Sequence, residues 1–153
     1  MARLDAELTL VGDGDYHDYL RSVARECGMA DRVVFHRALP NDQLCEMLPD
    51  FDIFATHTEY YEIGKSVLEP LLTGLPTVLN QRIGKPVPEL QGDWVLLVEN
   101  SVEGYYRALQ RLLTDRAERE ALGRRAYAHA QEHFAPAQTE AKVLQIYRQL
   151  LRN

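Results

Sequence analysis

The chain has 153 residues, 46% of them apolar, and carries 17 basic against 23 acidic side chains for a net charge of −6. That length and apolar content suffice for one compact domain with its own core. The acidic balance excludes broad nucleic-acid binding, which needs a basic face to neutralise phosphates, though a local basic cluster can still hold one phosphate ligand.

Residues 7–11 (ELTLV) are a β-prone run ending in Gly12-Asp13-Gly14, which reads as a strand and a tight turn. Over 15–27 the apolar residues Tyr16, Tyr19, Leu20 and Val23 recur at helical spacing, and Gly28 suits the helix C-terminus. Residues 32–35 (RVVF) are a second strand, and Asn41 is expected to cap a short helix holding Leu44, Met47 and Leu48. Residues 51–56 (FDIFAT) are a third strand. A helix should start near Gly64 or Lys65 and end near Thr73-Gly74. Residues 76–80 (PTVLN) and 94–98 (WVLLV) are the fourth and fifth strands. Three helices close the chain: 101–113, one from the cap Asp115 to about Phe134, and 136–151. The last has Val143, Ile146, Tyr147 and Leu150 on one face, to pack on its own sheet or on a second domain.

Alternating strands and helices with short connections predict an α/β fold. The expected architecture is a Rossmann-like parallel sheet of about five strands, with helices on both faces and further helices at the C-terminus, as one domain over 1–153. Ligands of such sheets bind beyond the C-terminal strand ends. Segments 12–15, 36–40 and 57–66 all follow strands and are expected to gather there.

The stretch Ile63-Gly64-Lys65-Ser66-Val67 lies where a loop becomes a helix. A helix N-terminus has unpaired N–H groups and a partial positive charge, which favour phosphate. Gly64 permits close backbone approach, Lys65 adds a charge, and Ser66 can cap the helix or bond a phosphate oxygen. Glu69, about one turn on, can accept the two hydroxyls of a ribose. Diphosphate and ribose side by side would be a nucleotide's layout. Equally, the same residues can be a capped helix start with Glu69 solvated. Pro70 removes one helical hydrogen bond and should bend the helix. Gly12-x-Gly14 lacks the third glycine of a dinucleotide motif, His17 standing there, so a plain turn is expected. Glu59 occupies the position of the upstream P-loop glycine.

Cys27 and Cys45 have neither CxxC spacing nor a histidine at ligand spacing, and read as reduced thiols of a cytoplasmic protein. His129 and His133, four apart, read as a surface helix pair rather than a metal site. No signal peptide or bilayer-length apolar run is present in the sequence, so membrane association is not indicated.

The order of LTLVGDGDY, DRVVFHRALP, EYYEIGKSVLEPLLTGLPTVLN, KPVPEL and DWVLLVEN resembles the C-terminal domain of the family-four retaining glycosyltransferases, over about residues 7–150. The resemblance implies one half of a GT-B architecture, binding a nucleotide-diphosphate sugar as donor, with no metal or other cofactor. Glu69 matches the family Glu that holds the ribose. Residues 64–67 (Gly64, Lys65, Ser66 and Val67), with Ile63 before them, would face phosphate and donor sugar. Gly12 and Gly14 belong to the same donor side. His36 to Leu39 would flank the base, and Arg37, standing where the family often has glycine, would contact base or phosphate or point to solvent. The family's first Glu falls on Tyr61, so Glu62 is the candidate to take over the catalytic-site contact with the donor sugar, with Glu59 on the other side. The family's first strand and helix, with their diphosphate-gripping Arg and Lys, are not found. Neither is the acceptor-binding N-terminal domain, the expected partner. The fragment is therefore expected to be inactive alone. Two other readings stay open: a sugar-nucleotide epimerase of the same architecture, or a non-catalytic Rossmann-like domain with a degenerate site.

Overall fold

The computed structural model describes residues 1–59, 63–82, 84 and 86–152. In chain order its elements are β1 (Leu8–Val11), α1 (His17–Glu26), β2 (Val33–His36), α2 (Asn41–Met47), β3 (Phe54–Thr56), α3 (Lys65–Leu72), β4 (Thr77–Asn80), β5 (Leu96–Val98), α4 (Val102–Thr114), α5 (Arg116–His133) and α6 (Pro136–Leu150). Every described strand pair is parallel, as the alternating pattern requires. The strands are hydrogen-bonded as a pair, β1–β2, and a triplet, β3–β4–β5. The chain forms two compact units, Met1–Met47 and Leu48–Asn153, with the pair in the first and the triplet in the second.

In the first unit, Leu4, Ala24 and Met29 are buried together with His17. The histidine that stands in the third-glycine position is thus a packing residue. Its ring meets Phe35 edge-on at 5.6 Å, and its Nε2 accepts a hydrogen bond from Arg21 Nε at 3.1 Å. Helix α1 ends at Gly28, which takes φ 66° while its N–H bonds the Arg25 carbonyl and the Met29 N–H bonds that of Ala24. These are the paired bonds of a Schellman turn, which satisfy carbonyls the helix leaves orphaned. Asn41 is the first residue of α2 rather than its cap, because the Leu44 N–H bonds the Pro40 carbonyl at 3.0 Å.

The second unit is built on β4, whose four residues are all buried. Successive strand residues face opposite ways. Leu79 faces a cluster with Val67 and Leu71 of α3 and Ala126 and Ala130 of α5. Val78 faces Ala108 and Leu112 of α4 and Leu122 of α5. The triplet is therefore covered by helices on both faces. Strand β3 begins three residues later than expected, since Leu48–Asp50 winds as a 3-10 turn that bonds the Phe51 N–H. Strand β5 begins at Leu96 and not Trp94, whose indole is buried as a packing anchor. Asp115 caps α5 as read, its Oδ1 accepting from the Glu118 N–H at 2.9 Å, and Ser101, expected inside α4, is that helix's cap, Oγ accepting from the Gly104 N–H at 3.0 Å.

Helix α3 also ends in a Schellman turn, with Gly74 at φ 80°, Gly74 N–H on the Leu71 carbonyl and Leu75 N–H on that of Pro70. This turn is pressed against α5, where a Cβ at Gly123 would overlap the Gly74 carbonyl oxygen. Gly123→Ala should therefore cost about 1–3 kcal/mol by overpacking, read as a lower urea midpoint at unchanged slope. A wild-type midpoint would refute the close contact.

Trp94, the only tryptophan, stacks on His129 at 4.1 Å and 9°, and His129 lies 4.3 Å from the His133 ring. Burial, and secondarily the neighbouring His133, hold the His129 imidazole below its usual pKa. The unfolded chain then binds the proton more readily than the folded one, so stability present above about pH 6.5 falls as pH drops through and below that value. Thermal midpoints measured from pH 8 to 5, with Trp94 emission as local probe, should fall less steeply in His129→Gln. Parallel curves would show that His129 contributes nothing.

Candidate functional site

In the first unit, parallel pairing sets Gly12 beside the end of β2, where its N–H donates to the His36 carbonyl at 3.0 Å. Gly14 lies in the β1–α1 turn, and its carbonyl takes the His17 N–H at 3.0 Å. The Gly12-x-Gly14 segment is thus the turn the sequence favoured. Arg37 follows β2 and reaches back across this turn: its guanidinium pairs with Asp13 at 3.0 Å and with Asp18 at 3.3 Å. All three side chains are more than half exposed, so the pairs add little stability. Their effect is to occupy the arginine. An anion must displace two carboxylates to use it.

In the second unit, α3 presents two faces. Val67, Pro70 and Leu71 turn into the core and Ile63 packs against the same cluster, while Gly64, Lys65 and Ser66 are exposed. Gly64 is the N-cap in an extended conformation, and among the described residues no side chain caps this end. Ser66 is therefore not the cap. The Gly64 carbonyl accepts from both Val67 and Leu68 N–H, at 3.0 and 3.1 Å. The N–H groups of Lys65 and Ser66 have no acceptor within the helix itself. Both residues are exposed. Glu69 is half-buried four residues after Lys65, so the two stand on one stripe of the helix. Pro70 sits inside α3, and its missing N–H forfeits only the bond to Ser66 one turn earlier. Glu62, the donor-sugar candidate, lies outside the described residues, as does Tyr61.

A group at the same edge went unread in the sequence. Asn80, the last residue of β4 and 3% exposed, holds the backbone of Thr58 at both ends: Thr58 N–H donates to Oδ1 at 2.9 Å, and Nδ2 donates to the Thr58 carbonyl at 3.0 Å. Arg82 donates to the same carbonyl. Tyr105 of α4 donates its hydroxyl to the Thr56 carbonyl at 2.7 Å. Burial raises the Tyr105 hydroxyl's pKa above its usual value, against a smaller lowering by the Asn80 backbone. The available signal was a polar residue closing an otherwise apolar strand.

Among the described residues, no three His, Cys, Asp or Glu side chains cluster as metal ligands. No helix among them is long and apolar enough to cross a membrane.

Solved structures share this fold. Sucrose-phosphate synthase from Thermosynechococcus elongatus superposes with a TM-score of 0.84 at 22% identity, over 99% of this chain and 40% of that one. Anabaena HepE in complex with UDP gives 0.77 at 18%, over 94% and 41%. The matching region is the C-terminal half of GT-B structures. Among curated proteins, 2-deoxystreptamine glucosyltransferase of Streptomyces kanamyceticus is 29% identical over 119 residues, 74% of this chain and 30% of its own length. The GDP-mannose-dependent alpha-(1-6)-phosphatidylinositol monomannoside mannosyltransferase of Mycobacterium tuberculosis is 31% identical over 126 residues, 77% and 33%. The chain thus spans about a third of the curated relatives it matches. The family model for glycosyl transferases group 1 covers residues 2–129, most of the chain, and on that ground the protein belongs to the group 1 glycosyl transferases.

Proposed function

We propose that this chain is the donor-binding half of a retaining glycosyltransferase that moves a sugar from a nucleotide diphosphate to an acceptor. The observation that carries the reading is the N-terminus of α3: a start at Gly64, which has no side chain to cap it, the exposed Lys65 and Ser66 and, on the same stripe as Lys65, Glu69. The diphosphate sits on the N–H groups of Lys65 and Ser66, where the helix dipole and the ammonium favour its charge. That charge grows on the leaving oxygen as the glycosidic bond to the sugar breaks, so these groups stabilise the transition state more than the intact donor. Glu69 takes the ribose hydroxyls and Glu62 the donor sugar. No metal is invoked. The names of the relatives support the class: one transfers glucose, another depends on GDP-mannose, and a structural neighbour was solved with UDP.

The last helix supports a further domain. Val143, Ile146, Tyr147 and Leu150 of α6 are 45–66% exposed, so this apolar face does not pack on the chain's own strands. We assign it to the acceptor-binding N-terminal domain of the whole enzyme. A cytoplasmic location, where nucleotide sugars are made, belongs to the same proposal, as does the absence of nucleic-acid and membrane partners.

Titration of the 15N-labelled chain with millimolar UDP, GDP and ADP tests the site. One nucleotide should shift the amides of residues 64–69. Lys65→Ala and Glu69→Ala should each weaken that binding about 10- to 100-fold, the loss of a charge-assisted contact of about 1.5–3 kcal/mol. Equal affinity in both variants would refute the assignment.

Turnover is a separate matter. The isolated chain should neither transfer sugar nor release nucleotide diphosphate above the uncatalysed rate in a coupled assay. Robust activity would overturn the assignment of half the catalytic site to another domain.

A further inference from the structure

The chain reaches α3 through a segment that begins at the end of β3. Thr56 is the last residue of that strand, in register with Leu79. Two residues on, beyond the end of the strand, both the N–H and the carbonyl of Thr58 are bonded by the side chain of Asn80. The carboxamide carries one acceptor and two donors, and so replaces both halves of a backbone pair. It is itself buried, where an unsatisfied amide would be costly, so the two bonds fix Asn80 as firmly as they fix Thr58. Arg82 adds a charge-assisted bond to the same carbonyl. Tyr105 holds the Thr56 carbonyl from the opposite side, out of α4. Among the described residues, Thr58 is the last with a hydrogen-bonded backbone before Gly64.

We propose that Asn80 and Arg82 are positioning residues for the donor site: they pin the approach to α3 so that the Lys65 and Ser66 amides hold one place relative to the strand ends. Neither residue is required to touch the nucleotide. The bonds lie at the strand ends and not within the two apolar clusters, so their loss should loosen the approach while leaving α4 and α5 intact. The inference rests on the donor reading of residues 64–69.

The test uses the 15N-labelled chain as wild type, Asn80→Ala, Arg82→Ala and Arg82→Lys, with two readouts. The first is amide hydrogen exchange without ligand, at Thr58 and at residues 63–68. The second is affinity for UDP and GDP at millimolar concentration. Asn80→Ala should speed Thr58 exchange and weaken nucleotide binding, each about tenfold, with α4 and α5 amides as protected as in wild type. Arg82→Ala should give a smaller loss of about threefold, and Arg82→Lys should restore most of it, which a purely steric role would not. Two results overturn the proposal: wild-type exchange and affinity in both alanine variants, or a loss of protection spread evenly through α4 and α5. If wild type itself binds neither nucleotide, the donor reading fails, and the exchange at Thr58 and residues 63–68 still decides whether the clamp positions the segment. Should Asn80→Ala not fold, the Arg82 pair, on a partly exposed side chain, carries the same decision.

Discussion

The second unit depends on one constraint: β4 is buried on both faces and along its whole length. A strand so placed must bury its polar backbone in ladders on both sides, and it pairs with β3 on one edge and β5 on the other. Its side chains must be covered from above and below. Leu79 and Val78 therefore recruit α3 and α4 to opposite faces, while α5 reaches both clusters through Leu122 and Ala126. With every strand parallel, the chain must return to the starting edge before each new strand. The return through α3 puts that helix's N-terminus near the end where β3 finishes. The position of the candidate site is a consequence of how the core is closed.

Close packing sets the details. Helix α3 is eight residues long and contains a proline, a poor helix by propensity. Its hold comes from Val67, Pro70 and Leu71 in the core and from the Gly74 turn that ends it against Gly123. Ile63 and Val67 seat its start on the same cluster, and the approaching chain carries a second anchor. The Asn80 and Arg82 contacts to Thr58 are that anchor on the described side of the segment.

Legibility in the sequence follows locality. The β-prone runs, the glycines after α1 and α3, and the cap Asp115 are local signals, and each maps onto an observed element. Strand edges were less legible. An apolar aromatic such as Trp94 reads the same whether it extends a strand or anchors a loop, and only its stacking on His129 decides. The same contact makes His129 more than the surface residue its spacing suggested. The start of α3 was legible because Gly64 marks it, but the part of Asn80 was not. It depends on the register of β3 against β4, which brings residues 22 positions apart to hydrogen-bonding distance. His17 shows the reverse error that a motif invites. Matched against a glycine pattern it is a missing glycine, and in the fold it is a buried packing residue.

The charge balance adds a last step. A chain of net charge −6 repels a nucleotide diphosphate at long range, so attraction must come from groups close to the ligand. At physiological salt the screening length is about 8 Å, which lets a short-range arrangement prevail over the distant carboxylates. In the first unit the one arginine placed after a strand end is already neutralised by Asp13 and Asp18. At α3 the positive end is supplied by backbone N–H groups, which no side-chain carboxylate among the described residues caps, together with Lys65. An acidic carboxylate cap there would have satisfied the helix and excluded the anion. Gly64 in its place brings no side chain to the helix start, which separates a helix start able to hold phosphate from one capped by its own N-cap residue.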